Sequence, residues 1–347
     1  MSSMRPHSAP TANREPANVA LPTVRVREPD HAPADPAFTN PALWLDGGVL
    51  RRQVMVAMLL SVAVLAGFIH DAGLHIDPTQ IGLVPYYVVG AVLLALRFGL
   101  PPSKWSWAGP VSRFSEYAGL FTLMALMGAT ASYPVAGLTH GYADATLQGI
   151  DERLGFDWLY LYRVVAAHPF LQGLGTIVYR SIYVTPAVLL WCAAKNADHK
   201  RAYSFMLRFW LATILTLIFF ALMPAIGPFS YLWHQAIPYM PESEQWQSGL
   251  IPALRAHTLH VIDVGHLRGI VSAPSFHTAA AVLYIVAGWH IPALRWPIVA
   301  LNVAMLLSTP VEGTHYLIDM ILGAGVAVMA IALARWWEQG LATRALG

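Results

Sequence analysis

The sequence predicts an all-α, polytopic membrane protein, and three observations lead to that fold class. Of the 347 residues, 56% are hydrophobic and only 12% are charged, about half the charged fraction of an ordinary soluble domain. The apolar residues lie in repeated runs long enough for membrane-spanning helices. Most Lys and Arg residues fall between alternate runs, as in the cytoplasmic loops of membrane proteins. The net charge of +2, without a compact basic cluster, gives no indication of nucleic acid binding.

The apolar runs predict about eight transmembrane helices. Before them, residues 1–48 are rich in Pro, Ala, Asp, Arg and Thr without hydrophobic periodicity, so we expect a disordered cytoplasmic tail rather than a signal peptide. Residues 49–112 contain two N-terminal helices, and residues 113–347 contain the other six spans. The predicted spans are 53–69, 81–96, 117–137, 171–194, 205–223, 274–289, 296–309 and 315–336.

The positive charges predict the orientation of this bundle. Arg51, Arg52 and the cations between spans two and three, four and five, and six and seven all map to one side, which is then cytoplasmic. Segments 70–80 and 311–314 on the other side contain no Lys or Arg; Arg153, Arg163, Arg255 and Arg268 are exceptions in long segments that also contain acids. We therefore expect both termini in the cytoplasm. A bacterial cytoplasmic membrane fits this pattern, and an endoplasmic reticulum or Golgi membrane is the alternative.

Two segments between the spans have their own character. Residues 143–158 predict an amphipathic helix at the outer interface, with apolar and acidic faces. The apolar face consists of Leu147, Ile150, Leu154 and Trp158, and the polar face of Asp144, Asp151, Glu152 and Asp157. The loop 225–271 is long and aromatic, and loops of that length are usually functional. We expect it to cap a site and to help select a head group.

Two short motifs carry the predicted chemistry. Pro274-Ser275-Phe276-His277 and Gly313-Thr314-His315-Tyr316, with Asp319 three residues further on, each precede a long apolar run. Pro274 suits the first helical position and Thr314 an N-cap, so each histidine is predicted in the first turn of a helix. Helix N-termini attract oxyanions. The charge pattern, which does not use the motifs, places both histidines on the outer side of the membrane.

Asp319 follows His315 by four residues, so the two side chains share one helical face. A carboxylate that accepts the imidazole N–H fixes the tautomer and leaves the other ring nitrogen free to attack. His277 is then available to protonate a leaving oxygen. The alternative for Asp319 alone is an acid favoured by the helix dipole.

These motifs resemble the type 2 phosphatidic acid phosphatase superfamily over roughly residues 117–337, and the Gly-Thr-His-Tyr form is similar to the branch that contains fungal inositol phosphorylceramide synthases. The resemblance implies a six-helix catalytic core. It also implies that His315 is the nucleophile that forms a phosphohistidine, that Asp319 orients it, and that His277 is the general acid and base. No metal or other cofactor is expected.

The sequence departs from the superfamily pattern in two places. Ser308-Thr309 stands where a Ser-Arg pair is usual, and segment 223–228 lacks the usual Lys and Arg. These departures argue against simple hydrolysis of phosphatidic acid and favour the synthase-like branch. A transferred phosphoryl group still needs its charge stabilised. We expect Arg180, Arg268 and Ser275 to bind it; the alternatives are a structural ion pair for Arg180, a solvated loop cation for Arg268 and a helix cap for Ser275.

The resulting hypothesis is an integral membrane phosphoesterase or phosphotransferase, acting on a lipid phosphate or phospholipid head group at the outer membrane face, with synthase-like transfer to a sphingolipid as the finer form. A lipid transporter or flippase is the alternative of a different class, and a catalytically inactive relative is a third. The residues His257, His260, His266 and Asp263 suggest zinc, but their spacing fits no standard pattern.

Overall fold

The computed structural model describes residues 41–100, 105–247 and 249–346, and this part of the chain is almost entirely helical. The first helix begins at Pro41, so the end of the predicted 1–48 tail belongs to a helix. The rest of that tail, residues 1–40, lies outside the described residues. Within the described ranges there is no strand, only an isolated parallel bridge between His75 and Val261.

The helices are numbered here in chain order. Three short 3₁₀ turns, Ile81–Leu83, Arg180–Tyr183 and Val264–His266, interrupt or join them. The α-helices are α1 (Pro41–Asp71), α2 (Val84–Gly99), α3 (Ala108–Leu138), α4 (Asp144–Arg153), α5 (Trp158–Ala166), α6 (Pro169–Tyr179), α7 (Val184–Lys195), α8 (His199–Leu222), α9 (Pro228–Leu232), α10 (Glu244–Gln247), α11 (Leu250–Arg255), α12 (Phe276–Gly288), α13 (Arg295–Glu312) and α14 (Leu317–Leu346).

Six helical segments in the described ranges are long and apolar enough to cross a bilayer, which confirms the all-α polytopic class. They are Gly47–Asp71, Ile81–Gly99, Ala108–Leu138, Pro169–Lys195, His199–Leu222 and Leu317–Gly340. The other two predicted spans correspond to α12 and α13, of 13 and 18 residues. At about 1.5 Å per residue, α12 is shorter than the hydrocarbon core of roughly 30 Å.

Small residues allow α12 to lie against its neighbours at the centre of the bundle. Ala279, Ala280 and Ala281 are all fully buried. A Cβ on Gly288 would lie 2.7 Å from Ile298 of α13, and a Cβ on Gly323 of α14 would collide with the carbonyl oxygen of Ser275. Close backbone approach is the usual role of small residues in membrane bundles. It brings the start of α12 beside the start of α14, where the two histidine motifs lie.

The predicted helix over 143–158 is two helices, α4 and α5, separated by a turn at Gly155, whose φ is +74°. Two members of its predicted polar face, Asp144 and Asp151, are buried rather than exposed. Asp144 accepts hydrogen bonds from the backbone N–H groups of Ile226 and Gly227, both at 3.0 Å. Buried carboxylates require such partners. The acidic face can therefore pack on the protein, because backbone N–H groups of other segments donate hydrogen bonds to its carboxylates.

The segment 225–271 is tied to the link between α1 and α2. His75 donates its backbone N–H to His260 O at 2.8 Å and accepts from Ile262 N at 2.9 Å. Next to this bridge, a Cβ on Gly82 would lie 2.5 Å from the Cα of Gly265, so glycine is required for the two backbones to meet. Residues 260–265 of the long loop are therefore attached to the link between α1 and α2.

A polar cluster joins α1, α2, α3 and α8 near the start of α3. The carboxylate of Glu116 accepts hydrogen bonds from Arg51 Nε, from Arg97 Nε at 2.7 Å and from the hydroxyl of Tyr203. Arg113, three residues before Glu116 on α3, instead donates its Nε to Ala194 O at 2.8 Å. This cluster attaches the two N-terminal helices to the rest of the bundle.

Candidate active site

A cavity of about 510 Å³ lies between α3, α8, α12 and the continuous helical segment Pro169–Lys195 that contains α6 and α7. His277 and His315 both line it. At this end the lining is polar, with Tyr179, Gln247 and Arg268. The rest of the wall is largely apolar and includes Phe121, Ala125, Pro186, Leu190, Phe209 and Leu217. The structure therefore brings the two histidine motifs, 38 positions apart in the chain, to one chamber that is polar at one end and apolar along its length.

His315 lies in a tight turn just before α14 rather than in its first turn, because the helix begins at Leu317. Thr314 has a φ of +49°, and a Cβ on Gly313 would lie 2.7 Å from His315 Cδ2. The His315 side chain is 4% exposed and its Nδ1 lies 3.7 Å from Asp319 Oδ2. That distance is longer than a hydrogen bond. Nδ1 is nevertheless the ring nitrogen next to the carboxylate, so Nε2 is the one available for chemistry. Asp319 is fully buried and accepts from Tyr316 N at 3.1 Å.

The N-terminus of α14 already holds an anion that the chain itself provides. The carboxylate of Asp151 accepts from the N–H groups of Leu317 at 2.7 Å and Ile318 at 2.9 Å. Burial raises the pKa of Asp151, although the two backbone donors act against that shift. The predicted N-cap, Thr314, instead donates its hydroxyl to Glu244 Oε1 at 3.1 Å. The expectation that this helix end binds a substrate oxyanion is therefore corrected.

His277 is the second residue of α12. Ser275 caps this helix, since its Oγ accepts from Thr278 N at 3.3 Å and its side chain is fully buried. Pro274 precedes the cap instead of occupying the first helical position, and its peptide bond with Ala273 is cis. Of the two uses expected for Ser275, the structure shows the cap, and Ser275 does not line the cavity with His277.

Tyr179, which sequence reasoning missed, is the principal partner of His277. The two rings stack with centroids 4.0 Å apart and an interplanar angle of 15°. The Tyr179 hydroxyl lies 3.2 Å from His277 Nδ1. A tyrosine inside an apolar run carries no distinctive signal in the sequence, so only the fold reveals this pairing.

The two candidate arginines lie beside the histidines. Arg180 is in the 3₁₀ turn between α6 and α7 and donates from Nε and Nη2 to Glu242, at 3.0 and 2.8 Å. Its side chain is nevertheless 56% exposed, and Arg180, Glu242, Arg268 and His277 together line a smaller cavity. Arg268 also lines the main cavity and donates Nη1 to Leu267 O at 3.0 Å. The structure thus shows the ion pair considered for Arg180 and places both cations next to His277.

A profile of the PAP2 superfamily matches residues 145–333, more than half of the chain. The chain belongs to the PAP2 superfamily. The matched region starts in α4, includes both histidine motifs and ends in α14. No curated protein and no solved structure matches the chain. Superfamily membership and the six apolar helices make it an integral membrane enzyme of the lipid phosphatase and phosphotransferase class.

The positions where this PAP2 protein departs from the expected pattern have local structural uses. Ser308 and Thr309 both donate their hydroxyls to Met305 O at 2.8 Å within α13. Gly227, in the segment without Lys or Arg, has a φ of +91°, and a Cβ there would lie 2.8 Å from Thr314 O. Gly227 thus packs against the turn that contains His315, whereas Ser308 and Thr309 bond within their own helix.

Three buried acids surround the same turn in this PAP2 enzyme, and sequence reasoning did not assign them to the site. Glu312 accepts from the Tyr239 hydroxyl at 2.7 Å and from Glu242 N at 3.2 Å. Burial raises the pKa of Glu244 above the ordinary value of a glutamate carboxyl group. The signal available in the sequence was an acid, Glu312, directly before the Gly313-Thr314-His315 motif. The other two acids come from the 225–271 loop, which these bonds attach to the site.

Proposed function

We propose that this PAP2 enzyme transfers a phosphoryl or phospho-head group from a lipid through a phosphohistidine on His315. The observation that carries the proposal is that His277 and His315 line the polar end of a cavity whose remaining wall is apolar. An amphiphilic substrate fits this chamber, because its phosphate meets the histidines while its hydrocarbon chain replaces water along the apolar wall. The cavity thus supports a lipid substrate rather than a soluble phosphate ester.

In the first step, Nε2 of His315 attacks phosphorus and the bond from phosphorus to the lipid oxygen breaks. His277 gives its proton to the departing lipid alcohol. Asp319, buried next to Nδ1 of His315, stabilises the positive charge that develops on the ring. In the second step an acceptor hydroxyl transfers its proton to His277, its oxygen bonds to phosphorus, and the bond to His315 breaks.

The arginines provide charge stabilisation in this proposal. Arg268 lines both cavities that contain His277. Arg180 is held next to the site by its two hydrogen bonds to Glu242. A guanidinium can bind a phosphate through two parallel hydrogen bonds in the way it binds a carboxylate, so Arg180 has the geometry to exchange Glu242 for the substrate. Ser275 acts by fixing the start of α12, as its cap indicates.

Transfer to an alcohol is the finer form of the proposal. The absence of cations at Ser308-Thr309 and at 223–228 supports a synthase-like reaction, in which a lipid alcohol such as ceramide or diacylglycerol accepts the phospho-head group. From the distribution of Lys and Arg, we further propose that both termini are cytoplasmic. The site would then face the outside of a bacterial cytoplasmic membrane.

The test is turnover by the purified full chain on a panel of lipid phosphates and phospholipids, with and without an acceptor alcohol. We expect a product that requires His315, either free phosphate or, with acceptor present, a new phospholipid. His315→Ala should abolish it and His290→Ala, an exposed histidine outside the site, should not. Folded protein that turns over no substrate, or a His315→Ala variant that retains activity, would overturn the proposal.

A further inference from the structure

A second, small cavity of about 70 Å³ lies beside the main one, and four polar side chains interrupt its otherwise apolar wall. Its polar lining residues are Ser230, Glu244, Gln247 and Ser272. Gln247 also lines the main cavity and the smaller cavity next to His277. The three spaces therefore meet at one side chain, and Gln247 separates the small polar cavity from the reacting histidines.

Ser272 presents an unpartnered hydroxyl at this cavity. The residue is 5% exposed, and its Oγ has no hydrogen-bond partner within the described chain. A buried hydroxyl without a partner costs free energy, and such groups in native proteins usually bind solvent or a ligand. The adjacent Gly227 keeps this space open, since a Cβ there would lie 3.1 Å from Ser272 Oγ.

Glu244 lines the same cavity and is 2% exposed. Its carboxyl group accepts from the Thr314 hydroxyl at 3.1 Å, from Gln247 Nε2 at 3.3 Å and from the Ser230 hydroxyl at 3.3 Å. Thr314 directly precedes the proposed nucleophile His315. The wall thus offers both hydrogen-bond donors and acceptors, and it contains an acid without a cation among the lining residues. A phosphate would be repelled there, whereas a neutral hydroxyl can donate and accept at once.

The size of the cavity fits the same ligand. A water molecule occupies about 30 Å³ of liquid and needs two to four polar partners. The cavity of about 70 Å³ therefore has room for one or two hydroxyl groups. It has no room for a lipid chain, which fits the larger apolar cavity.

We propose that this cavity binds the acceptor hydroxyl of the second step, either water or the hydroxyl end of an alcohol whose hydrocarbon part stays in the main cavity, and admits it past Gln247. The proposal rests on the proposed phosphohistidine. Gln247 lines this cavity and both cavities that contain His277, so the path from Ser272 to phosphorus passes Gln247. The hydroxyl oxygen bonds to phosphorus, its proton passes to His277, and the bond between phosphorus and His315 breaks.

The experiment separates the two steps by a single turnover with phosphorus-labelled lipid phosphate and an alkaline quench that preserves phosphohistidine. Ser272→Val fills the hydroxyl position with an apolar group, and Gln247→Leu does the same at the junction. For both variants we expect a loss of label that is slower by on the order of tenfold, the effect of one lost hydrogen bond. For Ser272→Val, whose side chain does not line the main cavity, we also expect labelling of His315 at an unchanged rate. Ser115→Val removes a buried hydroxyl bonded only within α3 and should change neither step.

Glycerol added as acceptor distinguishes the two sources of the hydroxyl. Slower release of both inorganic phosphate and glycerol phosphate in Ser272→Val means that water and alcohol share the cavity; slower formation of glycerol phosphate alone assigns it to the alcohol. Loss of label at the normal rate in both variants would overturn the inference. If the unaltered protein forms no phosphohistidine, the proposed function itself fails.

A measurement that does not depend on turnover is a crystal structure of the full chain soaked in glycerol. A solvent or glycerol oxygen within hydrogen-bond distance of both Ser272 Oγ and the Glu244 carboxyl supports the binding site even without chemistry. A dry cavity at high resolution contradicts it.

Discussion

At the scale of single residues, Gly313 and Tyr179 link the two histidine motifs. A Cβ on Gly313 would lie 2.7 Å from His315 Cδ2 and 3.0 Å from the Tyr179 hydroxyl. That hydroxyl in turn contacts Nδ1 of His277. Glycine therefore allows one tyrosine oxygen to lie between both motifs. Because a hydroxyl both donates and accepts, Tyr179 can pair with His277 when the ring is neutral and when it is protonated.

Tyr179→Phe tests this positioning role. We expect kcat for a lipid substrate to fall on the order of tenfold, because one hydrogen bond to the general acid contributes about 1 kcal/mol. The loss should be smaller for a p-nitrophenyl phosphodiester, whose leaving group needs no protonation. Tyr160→Phe, at an exposed tyrosine of α5 that does not line the cavity, is the control. An equal loss on both substrates would indicate a purely structural role for Tyr179.

The residues of the site were predictable only where they belong to a local motif. His277, His315 and Asp319 follow from spacing along the chain. The predicted helix starts were wrong in detail, because Asp151 from a distant helix takes the N–H groups of Leu317 and Ile318. Tyr179 was not predictable, because its stacking on His277 depends on the fold and leaves no periodic pattern in the sequence.

At the scale of secondary-structure elements, α4 supports the turn that contains His315. Asp151 accepts from the first two residues of α14, and Asp144 accepts from Gly227 N and from the Tyr316 hydroxyl at 3.1 Å. Tyr316 directly follows His315. One short helix therefore connects the start of α14, the His315 turn and the segment after α8. The sequence showed the acidic face of this helix, but not that backbone donors of other elements would cover it.

Asp151→Ala tests whether α4 supports the start of α14. Removing an N-cap carboxylate costs about 1–2 kcal/mol of stability, and here two buried N–H groups lose their partner. We expect a lower unfolding temperature in detergent and a decrease in kcat, because the His315 turn loosens. Glu152→Ala, the exposed neighbour on the same helix, should match the unaltered protein in both measurements. A stable and fully active Asp151→Ala variant would show that α14 positions His315 without α4.

At the scale of the whole molecule, the low charged fraction and the long apolar runs predicted the fold class, because membrane-spanning helices need about 20 apolar residues with few charges. The main cavity was not predictable, because it depends on which helices leave space between them. Tyr179 and Leu190 both line it. They are eleven positions apart in the helical segment Pro169–Lys195. Eleven residues span roughly 16 Å along a helix. The cavity thus extends through about half of a hydrocarbon core.

This depth leads to a prediction about chain length. Ala125 of α3 lines the apolar part of the cavity, and Ala125→Phe fills space that a hydrocarbon chain would occupy. We expect kcat/KM for a long-chain lipid phosphate to fall by on the order of tenfold, since at about 0.8 kcal/mol per methylene two displaced methylenes suffice. A short-chain phosphate that does not reach Ala125 should be turned over normally.

Leu123→Phe provides the matched control, because Leu123 is on the same helix but its side chain is exposed outside the cavity. It should leave the chain-length profile unchanged. If Ala125→Phe lowered the turnover of short and long chains alike, the cavity would serve the packing of α3 rather than the lipid. The hydrocarbon chain would then lie on the outer surface of the bundle. A decrease in kcat/KM confined to long-chain substrates would instead show that the interior of the bundle selects the lipid chain, while the phosphate lies at the histidines.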